Sequence, residues 1–163
     1  AKERDAAEAA LDVKADVITM HQDTPAPLQA AEQRGAFAIG YNSVMKEQVP
    51  GAWLTAPVWD WKAVYNKTAE EVHNGTWKTS QIWWGMKEGL VDIAPMSDLV
   101  PADVQAVVNE KKAAIISGEL KVFAGELKDN KGNVAVPAGT EMTDGAMLGM
   151  NFFVEGVQGN IPG

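Results

Sequence analysis

Between residues 2 and 14 the chain places Ala6, Ala10 and Val13 on one stripe with Lys and Glu elsewhere, the spacing of an amphipathic helix. The short apolar run "DVITMH" follows and predicts a strand. Leu28 and Ala31 then recur at helical spacing until Gly35, with Pro25 at the first helical position and Asp23 or Thr24 as the cap. "AFAIGYNS" predicts a second buried strand. Two strands joined by one helix through turns this short imply a right-handed parallel crossover, the unit of a doubly wound α/β sheet.

Further on, the apolar segment Trp53 to Val58 leads into a helix from about Lys62 to Asn74, with Val64, Thr68 and Val72 on one face and Gly75 as its stop. A short strand over Leu90 to Ala94 precedes a helix that Pro101 opens and Gly118 closes. Its inner side is expected at Val104, Val107, Val108 and Ile115, with Lys111 contributing its aliphatic stem. The pattern then changes. "VFAGELKDNKGNVAVPAG" has two apolar segments around a polar turn cluster, Asp129 to Asn133, which suits a β-hairpin. A last short helix is expected over Asp144 to Met150.

Composition narrows the classes. The 163 residues are 46% hydrophobic and 22% charged, enough for one core or two small lobes. Fourteen Lys and Arg against twenty-two Asp and Glu leave a net charge of -8, with no basic block to meet a phosphate backbone, so nucleic acid is not an expected partner. The absence of cysteine excludes disulfides, thiolate metal sites and thiol nucleophiles. No apolar stretch approaches the roughly 20 residues of a membrane span. The opening "AKERDAAEAALD" reads as charged helix rather than signal peptide, and the chain starts abruptly.

No catalytic set assembles from the sequence. His21 and His73 are the only histidines, in different elements and without a neighbour at metal-ligand spacing. No serine sits in a nucleophile elbow, neither phosphate-loop pattern occurs, and Glu70 and Glu71 point apart on a helix surface. Neither a metal nor a cofactor is expected, and the weight moves from enzyme to binder. Three features carry the candidate site. In an open α/β sheet ligands bind beyond the carboxyl ends of strands, where Gln22, Asp23 and Thr24 follow one strand and Tyr41, Asn42 and Ser43 the next. The plainer alternative is that Asp23 and Thr24 cap a helix and Asn42 makes a turn. Six tryptophans include Trp59 and Trp61 in "VWDW" and Trp83 and Trp84 in "IWWG". Indoles stack on flat rings or pack cores; Trp59, just past a strand end, is the candidate for the first. Lys87, in "WGMKEG", sits in a loop context from which it could reach a cleft.

The segments "ADVITMHQDTPAPLQAAEQRGAFAIGYNS", "LTAPVWDW", "GMKEGLVDIAP" and "VVNEKKAAIISGEL", in this order, resemble the basic membrane protein family of ABC-transporter substrate-binding lipoproteins, the purine-nucleoside-binding type. The resemblance spans nearly the whole chain but only the C-terminal half of such a protein, whose signal sequence and lipidated cysteine lie upstream. It implies a type I periplasmic-binding-protein fold, two α/β lobes joined by crossover strands around a ligand cleft. Residues 1–52 would form a βαβ unit of the C-terminal lobe, and 53–163 would hold crossover segments, further α/β elements and a C-terminal hairpin. By position, Gln22 matches a strand-end amide that contacts ligand in sugar-binding relatives, and Lys87 matches a family lysine that reaches the ligand. Asn42 stands where family members usually carry Asp, which keeps an acceptor and removes a charge. The opposite wall of the cleft, with a second aromatic and the acidic ribose contacts, would lie in the other half.

The implied protein is the solute-binding component of an importer, periplasmic or on the cell surface, with a nucleoside or nucleobase as ligand and the transporter's permease as partner. A ligand-sensing regulator or receptor of the same fold, or a small α/β enzyme, are the alternatives. A lone half would expose the surface meant for its other lobe and is expected to self-associate.

Overall fold

The computed structural model describes residues 2–161. It divides into two compact units, Ala1–Ala113 and Ala114–Gly163.

In the first unit α1, Lys2–Asp12, precedes β1, Val17–Thr19, then α2, Ala26–Gln33, and β2, Phe37–Ile39. A 3-10 turn at Lys46–Gln48 leads to β3, Trp53–Thr55. The three strands form one sheet in the order β1-β2-β3, parallel throughout, with Ile18 opposite Ala38 and Ala38 opposite Trp53. The expected parallel βαβ unit is therefore present. Its core gathers Ile18, Leu28, Ala31, Ala38, Val49 and Trp53, and Leu28, Val49 and Trp53 are the largest side chains that it buries fully. Removing an aliphatic side chain of that size from water contributes about 1.5–3 kcal/mol.

Two details of this half differ from the sequence expectation. The buried stripe of α1 is Ala7 and Leu11 with Ala10 half-buried, while Ala6 is exposed and Val13 is 80% exposed. Leu11 carries more hydrocarbon than any alanine on the helix, so burying it sets the rotation, one residue from the expected stripe. The helix ends at Asp12, and Lys14 takes a left-handed φ of 69°. Neither Asp23 nor Thr24 caps α2: Pro25 occupies the cap position, no side chain bonds the helix amides, and Pro27 lies in the first turn. Rings with a fixed φ start this helix where a capping side chain was expected. Gly35, at φ 72°, ends it as the sequence suggests.

The apolar segment after Ala52 is not one strand. β3 stays in the parallel sheet, Ala56 is fully buried, and β4, Pro57–Trp59, pairs antiparallel with β5, Val91–Ile93, in a separate sheet. Pro57 opens β4, where a residue lacking an N–H is tolerated. The chain thus changes sheets within one residue. α3, Lys62–His73, follows with Val64 and Thr68 half-buried, Val72 60% exposed and no residue buried. α4, Ala102–Ser117, likewise buries none; its half-buried positions are Gln105, Val108, Lys112, Ala114 and Ile115, so the expected Val108 and Ile115 face inward whereas Val104, Val107 and Lys111 are exposed. The polar members of that inner side are paired. Lys112 pairs with Asp92 on β5 and Gln105 Nε2 donates to the Val100 carbonyl at 2.8 Å, while Lys111 pairs with its neighbour Glu110. Burial pushes the Asp92 carboxyl up, but the Lys112 ammonium and the Ile93 amide outweigh it and hold it below the usual range.

In the second unit β6, Leu127–Lys128, and β7, Val134–Val136, form the expected antiparallel hairpin around the Asp129 to Asn133 turn. α5, Asp144–Leu148, is capped by Thr143, whose hydroxyl accepts from the Ala146 amide at 3.2 Å. No described helix is long and apolar enough to cross a membrane.

Candidate functional site

The parallel sheet delivers two chain ends to one edge, and β4 delivers a third. Gln22 and Asp23 leave β1, Tyr41 and Asn42 leave β2, and Trp59 is the last residue of β4. Gly40 makes the second of these exits possible: a Cβ there would lie 2.6 Å from Cζ3 of the buried Trp53, so only a bare backbone can lie on that indole. Beyond it, the Tyr41 ring rests on the His21 ring, centroids 4.1 Å apart. His21 is thereby an aromatic neighbour of the strand ends.

Asn42 adopts a left-handed φ of 62°, a conformation Asn tolerates better than most residues. A parallel bridge to Val58 sets it beside the end of β4. Its Nδ2 donates to Asp23 Oδ1 at 3.4 Å, and its Oδ1 accepts from Trp59 Nε1. Asp23, Asn42 and Trp59 are therefore joined into one hydrogen-bonded chain drawn from three elements. The Oε1 of Gln22 is shielded from solvent and has no hydrogen-bond partner among the described residues. A buried acceptor left unpaired is costly.

The remaining candidates lie differently. Thr24 turns away, its hydroxyl donating to Glu3 Oε2 of α1 at 2.6 Å. Lys87 is exposed in the turn Met86 to Gly89, which leads into β5, whose Val91 stands opposite Trp59. Its neighbour Glu88 accepts from the Gly85 amide at 2.9 Å, which holds that carboxyl below its ordinary value. Trp83 is exposed and Trp84 half-buried, in the coil between α3 and that turn.

An aromatic row was not foreseen. Trp59 stacks on Trp61 at 6.1 Å between centroids, and Trp61 on Tyr65 at 6.2 Å, with interplanar angles of 29° and 19°. All three rings are exposed. The i, i+4 spacing of Trp61 and Tyr65 at the start of α3 was a readable signal for the second contact.

A family model described as ABC transporter substrate-binding protein PnrA-like, Bmp, matches residues 1–126. The chain is 45% identical over 161 residues to a purine-binding protein of Brucella abortus, covering 99% of this chain and 46% of that protein. It is 33% identical over 159 residues to a putative ABC transporter glucose-binding protein of Haloferax volcanii, covering 98% and 38%. The chain thus spans less than half the length of these relatives. Among solved structures it resembles a solute-binding protein of an ABC transporter system from Conexibacter woesei, with a TM-score of 0.59, 25% identity and coverage of 74% and 41%. A transcriptional activator of the comK gene from Bacillus halodurans gives a TM-score of 0.64 at 19% identity over 71% of this chain and 42% of that one, a likeness of fold. The incomplete α/β architecture built on the parallel β1-β2-β3 sheet is that of ABC solute-binding proteins, and the chain belongs to the Bmp family of PnrA-like ABC-transporter substrate-binding proteins.

Proposed function

We propose that this chain is the C-terminal half of the solute-binding component of an ABC importer and supplies one wall of a cleft that takes a purine base or nucleoside. The observation that carries the reading is the meeting of Asp23, Asn42 and Trp59 at the ends of β1, β2 and β4, beside the unpaired acceptor of Gln22. A flat ring would lie against the Trp59 indole, and its N–H or amino groups would meet the Asp23 carboxylate and, once its side chain turns outward, the Gln22 amide. Tyr41 borders this wall. Lys87 would approach from the β5 side, and Thr24 would contribute by holding the seam to α1. The 45% identity to a purine-binding protein favours a purine over the glucose named for the less similar relative.

On this reading no bond is made or broken; the cleft closes on its ligand, and the closed form is what a permease recognises. The protein would work outside the cytoplasmic membrane, held there as a lipoprotein. The experiment is calorimetric titration of the full-length protein, both halves present, with a panel of purine bases, nucleosides, sugars and amino acids, repeated with Trp59→Ala. Saturation by a purine, weakened by about 1–3 kcal/mol in the variant, is expected. A response to sugars or amino acids alone overturns the purine assignment. Turnover of a nucleoside overturns the binding role.

A further inference from the structure

We propose that Asn42 is a positioning residue: its side-chain amide splints the Trp59 indole to the Asp23 carboxylate and fixes the plane of the aromatic platform before ligand arrives. The proposal rests on the reading of this face as the ligand site, and it assigns Asn42 a role other than direct contact. An amide has a donor end and an acceptor end, and here both are engaged, Nδ2 on Asp23 Oδ1 at 3.4 Å and Oδ1 on Trp59 Nε1. A carboxylate at this position could accept from the indole but would face Asp23 with like charge, so the residue type matters as much as the place. Geometry supports the same role. The left-handed φ of 62° and the parallel bridge to Val58 hold residue 42 alongside the end of β4, within reach of Trp59.

The splint also decides what Trp59 can offer. Indole has a single polar hydrogen, and that hydrogen is spent inside the protein. The ring therefore presents only its face, backed by Trp61 at 6.1 Å, and selects for flat, unsaturated rings rather than for a pattern of hydrogen-bond partners. Hydrogen-bond selection falls to Gln22 and Asp23. Holding a two-torsion side chain in place beforehand removes an ordering cost at binding, worth roughly two- to tenfold in affinity.

The test uses the full-length protein, both halves present, with its indole nitrogens labelled, the Trp59 signal being identified by Trp59→Phe. In the ligand-free protein the Trp59 indole proton should exchange slowly, and in Asn42→Gly, which keeps the left-handed backbone without strain, it should exchange fast at the shift of a free indole. Adenine affinity, measured by calorimetry, should fall roughly two- to tenfold in Asn42→Gly and in Trp59→Phe, and the double variant should bind no more weakly than Trp59→Phe alone. An unchanged indole signal in Asn42→Gly overturns the splint. So do losses that add in the double variant, because Asn42 would then touch the ligand independently of Trp59. Failure of the unaltered protein to bind adenine, with the indole signal still dependent on Asn42, would instead fault the purine reading and leave the splint standing.

Discussion

Gly40 ties the core to the candidate site more directly than any other residue. It lies on the buried Trp53 ring on one side and continues into Tyr41 and Asn42 on the other. Gly40→Ala forces a methyl group into the indole and is expected to cost about 1–3 kcal/mol, as overpacking in a tight core does. A lowered denaturant midpoint with an unchanged slope would report that loss, and an unchanged midpoint would mean that Trp53 can move aside. The sequence placed Gln22, Asp23, Asn42 and Trp59 at or just past strand ends, and the structure brings Asp23, Asn42 and Trp59 together there. The sequence was silent on which partner each would choose. Thr24 was equally suited to a helix amide, a ligand and a carboxylate of α1, and only tertiary approach selects Glu3.

At the scale of elements, apolar spacing located the helices and strands of the chain well and their orientation less well. α1 turns inward one residue away from the stripe that counting alone suggests, because Leu11 outweighs its smaller neighbours, whereas α4 keeps the expected Val108 and Ile115 on its inner side and adds Gln105 and Lys112 there. The passage from β3 to β4 was equally hidden, since an apolar run reads the same whether it serves one sheet or two. The hairpin was plain because its turn carries its own chemistry. Asp129 accepts from the Asn133 side chain at 2.9 Å and from the Lys131 and Asn133 amides at 2.8 Å each, and these bonds hold its carboxyl below the ordinary value. A depressed carboxyl stabilises the folded turn fully above the unfolded value of about 3.9, and the stabilisation disappears as pH falls through the folded value. Amide exchange at Lys131 and Asn133 should therefore quicken relative to other turns only in that acid window. Asp129→Asn should abolish this pH dependence; if the window persists in the variant, another group controls the turn.

At the scale of the whole molecule, the two helices after β4 stand out by what they leave uncovered. Neither α3 nor α4 buries a residue, and α3 exposes an apolar face that includes Tyr65, Ala69 and Val72 next to Trp61. Faces of this kind are normally covered. For this chain alone we expect self-association, seen by light scattering as a mass above 17.5 kDa that falls when Tyr65 and Val72 are replaced by serine. A stable monomer at high concentration would count against it. The row of Trp59, Trp61 and Tyr65 has a further, optical consequence. Rings this close exchange excitation, so light absorbed by Tyr65 or either indole is shared between Trp61 and Trp59. If a flat ring stacks on Trp59, as proposed, emission from this row should change on titration, and Trp59→Phe should remove that change from the signal of the six tryptophans.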